Sequence, residues 1–98
     1  MKYIVEQLES FNDWLHKLRD MRARVAIARR ISRVENGNLG DHNSVGEGVS
    51  EMRVDIGAGY RVYYTIRRNR IVFLLYGGDK SSQPKDIRQA IELSKEIE

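Results

Sequence analysis

The chain reads as an α+β protein with segregated strands and helices, in the order β-α-α-β-β-β-α. Three observations carry that reading. Residues 47–80 contain three runs with strand periodicity, separated by tight-turn signals. Residues 11–34 contain two apolar stripes at helical spacing, and a third helical stripe follows Pro84. The expected architecture is an antiparallel sheet with the helices packed on one face, the other face being largely open.

The β-branched run at 2–6, KYIVE, predicts a first strand. Phe11, Trp14, Leu15 and Leu18 fall at i, i+3, i+4, i+7 and give a first helix, for which Ser10 is the expected cap. Trp14 is expected in the core. A second helix is expected over 21–35, with Ala23, Ile27, Ile31 and Val34 as its stripe. Asp20 caps it, and Asn36-Gly37 stops it. Residues 37–48, GNLGDHNSVGEG, have no periodicity and predict an irregular loop.

Strands follow at 49–56 and 60–67, each alternating apolar with polar, joined by Gly57-Ala58-Gly59. A turn at Arg68-Asn69 leads to 71–76, apolar on both faces and so the most buried strand. The last helix begins after Ser82, its expected cap, with Pro84 in the first turn and Ile87, Ala90, Ile91 and Ile97 as the buried stripe.

A length of 98 residues predicts one domain, 1–98. The absence of cysteine excludes a disulfide, a thiol nucleophile and a cysteine metal site, and fits a cytoplasmic location. No apolar run is long enough for a signal peptide or a bilayer span. His16 and His42 lie far apart, and no His/Asp/Glu pattern has metal spacing, so neither metal nor cofactor is expected. The net charge of +3 is concentrated in the middle: residues 15–34 carry seven Lys/Arg against one acid, and residues 53–80 six against two. That distribution favours a polyanionic partner.

Alternation puts Arg53, Arg61 and Tyr63 together on the polar face of neighbouring strands. Lys80 follows the third of these strands at one sheet end, and the 37–48 loop brings His42 within reach. Such a set can serve metal-free RNA cleavage, in which the 2′-OH attacks the adjacent phosphate. That reaction needs a base, a proton donor for the leaving 5′-oxygen, and cations for the phosphate. Arginine supplies planar, bidentate phosphate contacts.

The segments Glu51-Met52-Arg53, Gly59-Tyr60-Arg61-Val62-Tyr63-Tyr64, Gly77-Gly78-Asp79-Lys80-Ser81-Ser82-Gln83 and Lys85-Asp86-Ile87 resemble the RelE/ParE toxin superfamily. More closely they resemble its HigB-like, phage-derived addiction module killer branch. The resemblance spans nearly the whole chain and implies the toxin half of a type II toxin–antitoxin pair. RelE- and HigB-type members cut mRNA in the ribosomal A site without a metal. The implied catalytic residues are Arg53, Arg61 and Lys80, with Tyr63 for proton transfer or base stacking. The basic helix, through Arg22, Arg29, Arg30 and Arg33, together with Arg67, is the implied RNA-binding surface.

The implied partners are a small helix-turn-helix antitoxin, the ribosome and mRNA, with a higher-order toxin–antitoxin complex and no membrane. Two alternatives share the fold: a ParE-like gyrase poison, and a non-toxic antitoxin-binding remnant. Some relatives place a catalytic aromatic or histidine near the C-terminus, where 85–98 has none. That departure implies that His42, Tyr63 or Lys80 is the general base, or that activity is weak.

Overall fold

The computed structural model describes residues 2–97. Strand β1 (Ile4–Gln7) is followed by α1 (Glu9–Lys17) and α2 (Met21–Glu35). Strands β2 (His42–Gly46), β3 (Val49–Val54), β4 (Tyr60–Arg67) and β5 (Ile71–Asp79) come next. A short 3-10 turn (Lys80–Ser82) leads into α3 (Gln83–Lys95). The class is α+β as expected. The five strands lie in the order β1-β5-β4-β3-β2.

Several elements form where local chemistry directs them. Asp20 caps α2 by accepting from the Ala23 amide, and Asn36 and Gly37 end it by donating to carbonyls of its last turn. Arg68 and Asn69 both have positive φ in the tight turn that sets Arg67 of β4 opposite Ile71 of β5. Strand β4 spans the expected residues, and β5 runs three residues beyond its apolar stretch.

The structure corrects several expectations, among them the most buried strand, which is β4, buried from Tyr60 to Thr65, rather than 71–76. Residues 42–46 of the supposed loop form an edge strand, antiparallel to β3. The sheet is mixed, because β1 pairs parallel with β5. Ser10 does not cap α1; its hydroxyl donates to the Leu75 carbonyl, where β5 bulges between its pairings with Tyr63 and Tyr64. The Ser82 hydroxyl, at the N-cap position of α3, donates to the Asp86 carboxylate rather than serving the helix amides.

The helices also cover both faces of the sheet rather than one. Phe11, Ala23, Ile27 and Val34 of α1 and α2 pack on Met52, Val54, Tyr60, Val62, Tyr64, Val72 and Leu74. On the other face, α3 lays Ala90, Ile87 and Ile91 on Val49, Tyr63 and Leu75. The bulge turns both Leu75 and Tyr76 toward α3, so β5 supplies apolar surface to both layers. The open part of the α3 face is its β3–β4 end, beyond the start of α3.

Candidate cationic site at the end of the sheet

At that end a concavity of about 200 Å³ is lined by Asp41, Arg53, Asp55, Arg61 and Lys80. The two arginines stand directly opposite each other in the β3–β4 register. Like charges in that position repel. Glu51, one same-face position along β3, offsets the repulsion: its Oε2 lies 3.7 Å from the Nε of Arg53 and 3.7 Å from the Nε of Arg61. These are ion pairs at more than hydrogen-bond length, and neither Nε–H has another hydrogen-bond partner among the described residues.

Arg61 is 8% exposed, and its Nη1 donates to the carbonyls of Gly59 and Tyr60. Arg53 is half-buried and also pairs through Nη2 with Asp41 at 3.5 Å. Arg53 Nη1 and Arg61 Nη2 are left without a hydrogen bond or ion pair among the described residues.

The segment Gly77–Gln83 positions the third cation, and each of its residues has a physical task. At Gly77 any side chain would run into the Trp14 indole, and at Gly78 into the Asp86 carboxylate. The Asp79 carboxylate accepts from the Ser81 hydroxyl and amide; those hydrogen bonds hold it below the usual aspartate range and fix the turn. Lys80 is exposed, and its alkyl chain crosses Gly59, where a Cβ would sit 2.9 Å from Lys80 Cε. Ser82 binds Asp86 at the start of α3. Gln83 Nε2 donates to Glu51 Oε1 at 3.3 Å, tying α3 to the acid behind the arginines.

The structure thus brings Arg53, Arg61 and Lys80 together, but not Tyr63. Tyr63 is fully buried under α3, and its hydroxyl has no hydrogen-bond partner among the described residues. Burial, then the nearby Asp86 and Glu51 charges, pushes its pKa far above the ordinary tyrosine value. It can neither stack on a base nor take a proton at neutral pH. His42 pairs in register with Met52, whose side chain faces α1 and α2, so the imidazole lies on the opposite face from the arginines. Its Nδ1 lies 2.8 Å from the Gly40 carbonyl.

Two of the five arginines expected at an RNA surface are structural instead. Arg30 donates to the carbonyls of Arg53, Leu39 and Asp41, pinning the chain before β2 to β3. Arg67 donates to Ser94 and Ile97 carbonyls at the end of α3, where the helix dipole favours a cation. Arg22, Arg29 and Arg33 are exposed on α2. Arg29 and Arg33 line a second concavity with Val54 and Asp55. Since Asp55 also lines the Lys80 concavity, the α2 arginines continue the cationic surface around the sheet end.

Sequence reasoning missed three features. Asp41 and Asp55 are the carboxylates facing the cations, and Glu51 is buried between the arginines rather than solvated. The largest concavity described, about 420 Å³, lies along α2 between Arg22 and Arg29, with Met21 (63%) and Val25 (48%) exposed in its wall. The stripe of Ala23, Ile27, Ile31 and Val34 leaves Met21 and Val25 off the core face, but helical spacing does not say that they border a groove. No group of His, Cys, Asp or Glu among the described residues is arranged to hold a metal, and no helix there is long and apolar enough to cross a membrane.

The fold has solved counterparts. The E. coli toxin RelE, as a double arginine mutant in the free state, superposes with a TM-score of 0.72 at 17% identity, covering 94% of this chain and 97% of that one. A chain of the RelBE2 toxin–antitoxin complex from Mycobacterium tuberculosis superposes with a TM-score of 0.65 at 21% identity, covering 82% of this chain and 100% of that one. The architecture is therefore the fold of these two toxin chains. In sequence, an uncharacterised protein of Haemophilus influenzae is 49% identical over 88 residues, covering 90% of this chain and 89% of its own. The family model of the phage-derived Gp49-like proteins (DUF891) matches residues 13–97, and the chain belongs to that family.

Proposed function

We propose that this protein is the toxin of a type II toxin–antitoxin system and acts as a ribosome-dependent, metal-independent mRNA endoribonuclease in the cytoplasm. The observation that carries the reading is the convergence of Arg53, Arg61 and Lys80 on one concavity at the end of a RelE-like sheet. Its size suits a phosphodiester rather than a whole nucleotide. Arg53 Nη1 and Arg61 Nη2 stabilise the phosphate as charge gathers on it.

In this reaction the 2′-oxygen bonds to phosphorus, the bond to the 5′-oxygen breaks, and a 2′,3′-cyclic phosphate remains. Lys80, exposed at the mouth of the site, gives a proton to the leaving 5′-oxygen. With Tyr63 buried and His42 on the other face, a carboxylate takes the 2′-OH proton. Asp41, already beside Arg53, is the better placed of the two that line the site. Arg22, Arg29 and Arg33 contact ribosomal RNA phosphates. The partner is a small helix-turn-helix antitoxin, with a higher-order complex as the resting form. It covers the α2 groove that exposes Met21 and Val25.

A second reading, a ParE-like gyrase poison that acts by binding alone, is favoured by one observation: Asp41, Glu51 and Asp55 match the three cations charge for charge. Purified protein added to translating ribosomes separates the two. Cleavage of the translated message, lost in Lys80→Ala, supports the nuclease; intact message with inhibited supercoiling by purified gyrase supports the poison.

A further inference from the structure

Glu51 stands out as an ionisable side chain that the proposed chemistry does not use. It is 5% exposed, yet it is held from both sides. One oxygen accepts from Gln83 at the start of α3, and the other faces the Nε of both Arg53 and Arg61. A guanidinium presents three edges, and fixing one fixes the others because the group is planar. Arg61 faces Glu51 through Nε at 3.7 Å and donates through Nη1, which leaves Nη2; Arg53 faces Glu51 through Nε at 3.7 Å and pairs through Nη2 with Asp41, which leaves Nη1. A single carboxylate thereby lies between two guanidiniums on neighbouring strands.

We infer that Glu51, braced by Gln83, is a positioning residue: it locks Arg53 and Arg61 as a paired fork for one tetrahedral phosphate. This goes beyond the nuclease reading and rests on it only in taking the concavity as a phosphate site. It also gives a role to a buried acid placed between two arginines of the site. The alternative role for Glu51 is simple charge balance, and the two roles predict opposite signs. Removing an acid raises the local positive potential, so charge balance alone predicts tighter anion binding in Glu51→Gln. Loss of a preset fork predicts weaker binding despite the added positive charge.

The test is titration of wild type and Glu51→Gln with inorganic phosphate, followed by the Nε–Hε NMR signals of Arg53 and Arg61. Those signals are assigned through Arg53→Lys and Arg61→Lys. The expected result is two dispersed, slowly exchanging signals in wild type that collapse toward free arginine in Glu51→Gln, with phosphate affinity reduced about tenfold. Gln83→Ala, which keeps all charges, shifts both readings in the same direction by less and decides the matter if Glu51→Gln does not fold. Unchanged guanidinium signals, or phosphate binding as tight as wild type or tighter, overturn the inference. Failure of wild type to bind phosphate defeats the phosphate-site reading instead, and the guanidinium signals still decide whether Glu51 positions the arginines.

Discussion

Trp14 lies over Gly77 so closely that β5 cannot carry a side chain there. The indole also packs edge-on against Tyr60 and beside Phe11, at centroid distances of 6.4 and 5.9 Å. Gly77→Ala is therefore an overpacking change, expected to cost about 1–3 kcal/mol by thermal or urea unfolding. The buried phenols make a second prediction. Tyr63 and Tyr64, chiefly by burial, and Tyr60, by burial and then by its neighbour Asp20, all have pKa values raised above 10.0. The fold favours their neutral forms, so their stabilisation is complete below the unfolded value near 10 and is lost as pH rises beyond it. Phenolate absorbance should show these three titrating only above the ordinary tyrosine range, with stability falling there; ionisation of all three near pH 10 in a folded protein would contradict the burial. At the site, the Lys80 side chain is exposed and makes no hydrogen bond or ion pair among the described residues, so Lys80→Ala should change the melting temperature little while lowering cleavage by about 10²-fold or more.

Among the elements, α2 shows how closely sequence chemistry can set a boundary. One oxygen of Asp20 accepts from the Ala23 amide, and the other from the Tyr60 hydroxyl at 3.5 Å. Asp20→Ala should cost about 0.5–2 kcal/mol in unfolding experiments, with fraying confined to the first turn of α2 in hydrogen exchange. Helix α2, β4 and both turns around it were legible because caps, glycines and alternation are local signals. Strand β2 was not. Its HNSVG sequence is mostly exposed and lacks alternation, and it is a strand only because β3 offers it an edge. The parallel pairing of β1 with β5 is equally non-local. The cover on both faces did leave a trace: a run at 71–76 that is apolar on both sides requires a layer on each, and a one-faced architecture conflicts with it. Tyr63 was misplaced for the same reason. It alternates with apolar residues, but its own face is the one α3 buries.

For the molecule as a whole, the fold brings three cations from β3, β4 and the turn after β5 to one end, where no single segment would reveal them. Arg53 and Arg61 were legible from alternation, and Lys80 from its place after a strand. The acids between them were not, because sequence does not say whether a carboxylate faces solvent or an arginine. Nor does it separate Arg30 and Arg67, spent on backbone carbonyls, from the exposed Arg22, Arg29 and Arg33. Reversing charge at Arg29 and Arg33 together should weaken ribosome association and flatten its salt dependence, read by sedimentation at two ionic strengths, without touching phosphate binding at Arg61. The central claim is that the Arg53–Arg61–Lys80 concavity cuts translated message. Mapping mRNA 5′ ends after brief induction, in wild type and in Lys80→Ala, tests it most directly. Codon-phased new ends in wild type that vanish in the variant are the predicted result; growth arrest with no new ends, or the same ends in both, would contradict it.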